Sequence, residues 1–203
     1  SGQKRNYRSG EIMMYKKRKV FFSILFVLFS FSAFGKDDSS LSPLKWAKSF
    51  ESYLYNLGPI TGKFTQIDQS GTMSKGTFWS SGKGAVKFSF APKSGLLIAI
   101  VDGLITVKEN KDSPINLYSI KGSPLANLFS GNFNLSRFVI SDIDITGSVG
   151  TIEIRTKENS TRDSLYLVGD YPNPKLRQWK LIDLQNNDTL VFFSKIEKTS
   201  FLD

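Results

Sequence analysis

The sequence predicts a mainly β protein: a long, strongly curved antiparallel sheet of about 10–11 strands with a helix or two laid across one face. Three observations carry this prediction. Apolar residues recur at helical spacing in a segment before Gly58, they alternate with polar residues over most of the chain after it, and turn-forming residues interrupt that alternation at short intervals. A sheet with this many strands curls, so strong curvature is expected.

The first element is an amphipathic helix that begins at Ser42–Pro43. Serine caps the free N–H groups of the first turn, and proline supplies the first helical dihedral angle. The helix is expected to end at Gly58–Pro59, because glycine accepts a left-handed cap and proline cannot continue a helix. Its apolar positions, which must cover another element, are Leu44, Ala47, Phe50, Leu54 and Leu57.

From Ile60 to Ile196 the apolar residues follow a period of two, as in a half-buried strand. In residues 85–90 and 151–155, for example, Val, Phe or Ile alternates with Lys, Ser, Glu or Arg. Residues that tolerate turn dihedral angles separate these runs at Ser70–Gly71, Ser81–Gly82, Asp102–Gly103, Gly147 and Asn186–Asp188. No internal repeat or linker is visible, so we predict a single domain over residues 36–203.

Two segments depart from simple alternation. Between Gly122 and Gly131, Ser123–Pro124 again reads as a cap and a first helical residue, which predicts a second, shorter helix. Leu96–Val101 and Leu190–Phe193 are apolar at nearly every position, which predicts strands that are covered on both faces. The pattern leaves two interpretations open: an ordinary filled core, or a hollow concave face closed by movable helices.

The positive charge of the chain is concentrated near its start. The formal net charge is +9, but residues 1–35 hold seven of the 27 Lys and Arg residues and one of the 18 Asp and Glu residues. The remainder is close to neutral and has no cluster of basic residues, so we expect no nucleic-acid binding.

The start of the chain also has the pattern of a cleavable signal peptide. A basic run at Lys16–Lys19 precedes the apolar run Val20–Phe34, and the small residues Ala33 and Gly35 mark a cleavage site. A membrane anchor is the alternative, but the apolar run is shorter than the roughly 20 residues that a spanning helix needs. We therefore expect export across a membrane, with residues 1–12, which precede Met13, as an over-extended start.

The composition excludes several kinds of catalysis. The sequence contains neither Cys nor His, so it lacks thiol nucleophiles, Cys/His zinc sites and a Ser-His-Asp triad. Asp142 and Asp144 share one face of a predicted strand and could form an acid–base pair, but a solvated outer face explains them better. We expect no enzyme activity, no metal and no cofactor.

Several segments, taken in order, resemble the family of the periplasmic outer-membrane lipoprotein carrier LolA. Its central signature is similar to Gly76–Trp79, Phe88–Pro92 and Leu96–Gly103. Ser123–Phe129 resembles the short lid helix of that family, and Leu176–Asp183 resembles a segment common in its alphaproteobacterial members. The resemblance extends from about Trp46 to Glu197 in one consistent order.

The resemblance implies a fold and a function. The implied fold is an incomplete antiparallel β-barrel of about 10–11 strands whose concave face is covered by short helices. LolA-like carriers hold the acyl chains of triacylated lipoproteins in a hydrophobic cavity, take them from an inner-membrane ABC exporter of the LolCDE type, and pass them to an outer-membrane acceptor of the LolB type. A monomer is expected. Two alternatives use the same half-barrel, namely a lipid-binding envelope sensor or regulator, which usually brings a second domain, and a glycolipid carrier.

The resemblance also implies which residues bind lipid. The cavity residues are expected to be Phe64, Phe78, Val86, Phe88, Phe90 and Leu97, and the lid residues Leu125, Leu128 and Phe129. The family usually has Arg-Pro in the turn after its aromatic strand, and that arginine holds the lid shut. This chain has Gly82–Lys83 there instead, which leaves Lys83 and Lys87 as candidates for control of the lid or contact with a partner.

Overall fold

The computed structural model describes residues 41–91, 95–157, 163–183 and 185–199, all within one compact unit, so the predicted signal peptide and its cleavage site lie outside the described residues. The helical elements are α1 (Pro43–Tyr55), α2 (Leu125–Leu128) and a 3-10 turn (Leu135–Arg137). The strands are β1 (Ile60–Ile67), β2 (Met73–Ser80), β3 (Ala85–Phe90), β4 (Leu97–Val101), β5 (Leu104–Lys108), β6 (Asn116–Ser119), β7 (Phe138–Thr146), β8 (Val149–Thr156), β9 (Ser164–Asp170), β10 (Leu176–Ile182) and β11 (Asp188–Lys198).

The eleven strands form one open antiparallel sheet in the order β6-β5-β4-β3-β2-β1-β11-β10-β9-β8-β7. Each strand pairs with its sequence neighbour, except that β11 returns to pair with β1 at the centre and the chain crosses from β6 to β7, the two edges. The prediction of an unclosed antiparallel half-barrel with helices on its concave face is confirmed. The hairpin at Asp102–Gly103 has φ angles of 48° and 77°, as a two-residue turn with both centres left-handed requires.

Helix α1 begins as predicted, because the Ser42 hydroxyl accepts a hydrogen bond from the Lys45 N–H and Pro43 occupies the first helical position. It ends at Tyr55, earlier than predicted, because the side-chain amide of Asn56 donates to the Ser52 carbonyl at 2.8 Å and caps the last turn. Leu44 was expected on the buried stripe but is 56% exposed. The fully buried Trp46 takes its place, since it is aligned with Phe50 and Leu54 at steps of four.

The buried core lies entirely on the concave side of the sheet. On β3 the inward Val86, Phe88 and Phe90 are buried while Lys87 between them is exposed, and on β8 Ile152 and Ile154 are buried. The prediction that Leu96–Val101 and Leu190–Phe193 are covered on both faces is wrong. Their convex-side residues Val101 and Phe192 are 49% and 38% exposed, because no described element packs on that face.

Candidate functional site

A cavity of about 220 Å³ lies between the concave face and α2. Its walls come from neighbouring strands whose inward residues are in register: Phe88 of β3 faces Ile98 of β4, and Trp179 of β10 faces Val191 of β11. Antiparallel pairing thus places side chains from distant parts of the chain around one space. The lining residues are Gln66, Phe88, Phe90, Ile98, Ile100, Ile105, Leu125, Trp179, Leu181, Thr189 and Val191. We call this space the aromatic cavity.

Edge-to-face aromatic contacts brace one wall of the aromatic cavity. The ring of Phe64 lies 5.1 Å from that of Phe88 and 5.0 Å from that of Phe90, each at an interplanar angle of 85°. Phe78 continues the cluster by contacting Phe88 and Phe193, with ring centroids 6.2 and 4.9 Å away. Edge-to-face pairs are a favourable aromatic geometry, so this wall is held in place without a ligand.

The aromatic cavity contains one polar anomaly. The indole Nε1 of Trp179 is buried and has no hydrogen-bond partner among the described residues. Its ring is 6% exposed and lies near Gln66 and Thr189, the two polar side chains of the lining. A buried N–H without a partner is unfavourable, so this donor is a feature that a bound carbonyl or hydroxyl group would satisfy.

The roof of the cavity is the segment Ser123–Phe133, which contains α2 and which we call the lid. Leu125 lines the cavity. Leu128 and Phe129 of the lid are buried, and the Phe129 ring lies 6.1 Å from the Phe193 ring. The Ser123 hydroxyl accepts a hydrogen bond from the Leu125 N–H at 3.3 Å. Helix α2 has only four residues, so contacts with the sheet and not its own hydrogen bonds hold it in place.

The lid is fastened to the β2–β3 turn by the main chain. The Gly84 N–H donates to the Phe129 carbonyl at 3.1 Å. Beside this bond, a Cβ on Gly131 would overlap the carbonyl oxygen of Gly82, and a Cβ on Gly82 would lie 2.5 Å from that of Gly58. Gly58, Gly82 and Gly131 all have positive φ angles. The turn where the family usually has its arginine therefore meets the lid through closely packed glycine backbone.

The structure brings most of the predicted site residues together around the aromatic cavity. Phe88, Phe90 and Leu125 line it, while Phe64, Phe78, Val86, Leu128 and Phe129 are buried in the core cluster that surrounds it. Lys83 lies exposed in the turn next to the lid anchor, and Lys87 points to the convex face, away from the lid. The position predicted for Leu97 is wrong. It pairs with Ser89 on the outward parity of β4, so Ile98 and Ile100 line the cavity instead.

Other lining residues were missed by sequence reasoning. Ile105, Leu181 and Val191 are ordinary strand residues, and nothing in their local sequence separates a cavity wall from a filled core. Gln66 carried a usable signal, because it is a polar residue at an inward position of an alternating strand.

The described residues contain no group of three or more Asp or Glu side chains placed to hold a metal ion. Asp142 and Asp144 are both exposed on β7, as the interpretation of a solvated face expected. Within the described part of the chain, no helix combines the length and the apolar character that crossing a membrane requires. The site is a cavity with apolar walls, a few polar side chains and a short lid.

Several solved structures are similar to this chain. A domain assigned to outer-membrane lipoprotein sorting from Vibrio parahaemolyticus aligns with a TM-score of 0.51 at 10% identity, covering 79% of this chain and 93% of that one, and so shares the fold. A LolA-superfamily protein from Nitrosomonas europaea gives a TM-score of 0.45 at 8% identity over 80% of this chain and 96% of that one. The MucA/MucB complex of Pseudomonas aeruginosa gives 0.44 at 13% identity over 78% and 59%.

No curated protein matches the sequence. A family model does: the model for the outer membrane lipoprotein carrier protein LolA matches residues 56–203, which include every strand of the sheet. This match confirms the resemblance drawn from the sequence segments, and the chain belongs to the LolA family of outer membrane lipoprotein carrier proteins.

Proposed function

We propose that this protein is a periplasmic carrier that holds the acyl chains of triacylated lipoproteins in the aromatic cavity and moves them toward the outer membrane. One observation carries the proposal: a cavity with largely apolar walls lies under a short lid on the concave face of a LolA-family sheet. Export into the periplasm, a LolCDE-type exporter as donor and a LolB-type protein as acceptor belong to the same proposal.

The volume of the cavity implies that cargo moves the lid. Small-molecule sites usually measure about 300–1,000 Å³, and the aromatic cavity, at about 220 Å³, is smaller than that range. An acyl chain must therefore displace Leu125 and the buried lid residues behind it. In this proposal the acyl chain packs against the cavity wall formed by Phe88, Phe90, Ile98 and Ile100, and the lid covers the part of the chain that lies in the cavity.

Reversible transport requires moderate affinity. Burying one long acyl chain contributes roughly 10 kcal/mol before opposing terms, at about 0.8 kcal/mol for each methylene. Lifting Leu125, Leu128 and Phe129 from the sheet exposes apolar surface that is buried in the closed state, which offsets part of that gain. The closed lid thus lowers cargo affinity enough to permit release to an acceptor with a more exposed apolar site.

Paired substitutions on the two faces of one strand pair test this function. Ile98→Trp fills the cavity from β4, whereas Ala99→Trp adds the same ring on the opposite face of that strand. We expect Ile98→Trp to weaken binding of a fluorescent fatty acid at least tenfold and to abolish co-purification of triacylated lipoprotein from the periplasm. Ala99→Trp should leave both unchanged. Equal binding by the two variants would show that the cavity does not hold acyl chains.

A second pair introduces charge instead of volume. Phe88→Glu places a carboxylate in the cavity wall, and Lys87→Glu places the same side chain on the convex face of β3. Circular dichroism establishes that each variant is folded. Loss of cargo from Phe88→Glu but not from Lys87→Glu supports the proposal, and the same comparison applies to Leu128→Glu in the lid.

A further inference from the structure

A second cavity, of about 360 Å³, lies beside the aromatic cavity, between the end of α1 and strands β10 and β11. Its floor is apolar and includes Leu57, Leu176 and Phe193, all of them buried. Four basic residues also line it: Lys175, Arg177, Lys195 and Lys198. We call it the basic cavity. It combines an apolar floor with a positively charged border, which is the arrangement that an anionic amphiphile requires.

The positive charge of the basic cavity is largely uncompensated. Arg177 is paired, because its Nε donates to Asp170 Oδ1 at 2.6 Å. Lys175, Lys195 and Lys198 form no ion pair with any residue that the structure describes, and no carboxylate is among the described lining residues. Three lysines without an ion pair and the half-buried Tyr53 therefore line one space. Lys175 and Lys198 also border an adjoining groove, so the charge extends to an open entrance.

A β-bulge positions one of these lysines. Thr61 pairs with Glu197 and Lys63 with Ser194, so both Lys195 and Ile196 of β11 lie opposite the single residue Gly62 of β1. Lys195 has a φ angle of 53°, a left-handed conformation that glycine adopts easily and lysine does not. Lysine at this position is therefore less stable than glycine would be. Lys195 nevertheless keeps a positive charge at the border of the basic cavity, and strained residues of this kind cluster at binding sites.

We infer that the basic cavity binds a phosphate group carried on an apolar body, with the phosphate among Lys175, Lys195 and Lys198 and the apolar part on Leu57, Leu176 and Phe193. Charge-assisted hydrogen bonds from ammonium groups hold phosphate oxygens, and the buried floor accepts methylene groups. This site is separate from the aromatic cavity and does not depend on the proposed carrier function. Inorganic phosphate, which has the same charged group without an apolar body, is the alternative ligand, and the choice of probe distinguishes the two.

The test measures binding of dodecyl phosphate, inorganic phosphate and the neutral dodecyl maltoside to the full chain by calorimetry. Lys195→Gly removes one charge and suits the left-handed backbone, so its melting temperature should equal or exceed that of the parent. We expect this variant, and Lys198→Gln, to bind dodecyl phosphate about tenfold more weakly, since a hydrogen bond between charged groups typically contributes that much. The affinity should also fall as salt screens the exposed ammonium groups.

Two further variants identify the site. Lys87→Gln removes a lysine from the convex face and should leave the affinity for dodecyl phosphate unchanged. Ile98→Trp fills the aromatic cavity and should leave unchanged the part of the binding that Lys195→Gly weakens. An affinity that falls in Ile98→Trp but not in Lys195→Gly would overturn the inference, because the probe would then occupy the aromatic cavity. An equal loss for dodecyl maltoside in Lys195→Gly would overturn it as well.

The source of the phosphate follows from the probes. Dodecyl phosphate that binds more tightly than inorganic phosphate, with the same dependence on Lys195, supports a lipid headgroup. If dodecyl phosphate and inorganic phosphate bind equally well with that dependence, the cavity is a site for inorganic phosphate, and the apolar floor adds no affinity. If neither probe depends on Lys195, the cavity is not an anion site. Failure of the fatty-acid test with Ile98→Trp would refute the carrier function and leave these results unaffected.

Discussion

The two helices that cover the concave face do so in opposite ways. Helix α1 places Trp46 and Phe50 over Gly150 and Gly169, and a Cβ at Gly150 would overlap the Trp46 ring. The indole also donates to the Asp170 carbonyl at 2.8 Å. The lid, in contrast, leaves about 220 Å³ beneath Leu125. One region of the sheet is a filled core and the other is a covered hollow.

The two helices also differ in what supports their own structure. Helix α1 has 13 residues, a serine cap and a proline at its start, so its structure is supported locally as well as by packing. Helix α2 has four residues and depends on its contacts with the strands and with Gly84. Segments with little local support open at lower free energy than the core does. We therefore expect the lid to open at a lower free energy than the region under α1.

The largest expected effect breaks the filled region. Trp46→Ala leaves a void in a tightly packed site and removes the hydrogen bond to Asp170, so we expect it to lower the free energy of unfolding by about 3–5 kcal/mol. Urea denaturation measures this change. Leu44→Ala on the same helix removes an exposed side chain and should alter stability by less than about 0.5 kcal/mol. Similar losses from both variants would show that α1 is not packed as described.

A smaller effect tests how the lid is fastened. Gly131→Ala and Gly122→Ala both put alanine at a positive φ angle, but only the first adds a Cβ that overlaps the Gly82 carbonyl. The left-handed conformation should lower the free energy of unfolding of each variant by roughly 1–2 kcal/mol. Overpacking should lower that of Gly131→Ala by about 1–3 kcal/mol more.

Hydrogen exchange at the Gly84 amide, which donates to the Phe129 carbonyl, reports on the lid itself. We expect this amide to exchange at least about tenfold faster in Gly131→Ala than in Gly122→Ala, because a lifted lid breaks its hydrogen bond. Equal exchange rates in the two variants would mean that the glycine contact does not hold the lid.

Much of this fold could be predicted, because its elements follow local chemistry. Ser42–Pro43 starts a helix, Asp102–Gly103 turns a hairpin, and the period-two alternation of Val86–Phe90 sets which side chains point inward. The coverage of strands with apolar residues at both parities could not be predicted. Val101 and Phe192 are partly exposed because the helices lie on one side, and a strand's own sequence does not record how many layers pack against it.

The candidate site was predicted less completely. Phe88 and Phe90 could be predicted because they alternate with polar residues along their strand. Leu97 was predicted where Ile98 lines the cavity, because a continuous apolar run does not reveal which of its residues point inward. That parity is fixed by pairing with β3, which is a tertiary fact. The close packing of Gly131 on Gly82 is equally invisible in the sequence, because the two glycines are far apart in the chain.

The smallest effect applies one substitution to both regions. Trp46 Nε1 donates to the Asp170 carbonyl, whereas Trp179 Nε1 has no partner among the described residues. Trp46→Phe should therefore lower the free energy of unfolding by about 1 kcal/mol or more. Trp179→Phe removes a donor whose burial is unfavourable, so the loss of ring volume should be offset and stability should change by less than about 1 kcal/mol. Urea denaturation of the two variants gives the comparison, and an equal loss would mean that the Trp179 indole has a partner in solution. The difference follows from the contrast between the regions, because the Trp46 indole has an acceptor in the filled core and the Trp179 indole has none among the described residues around the hollow.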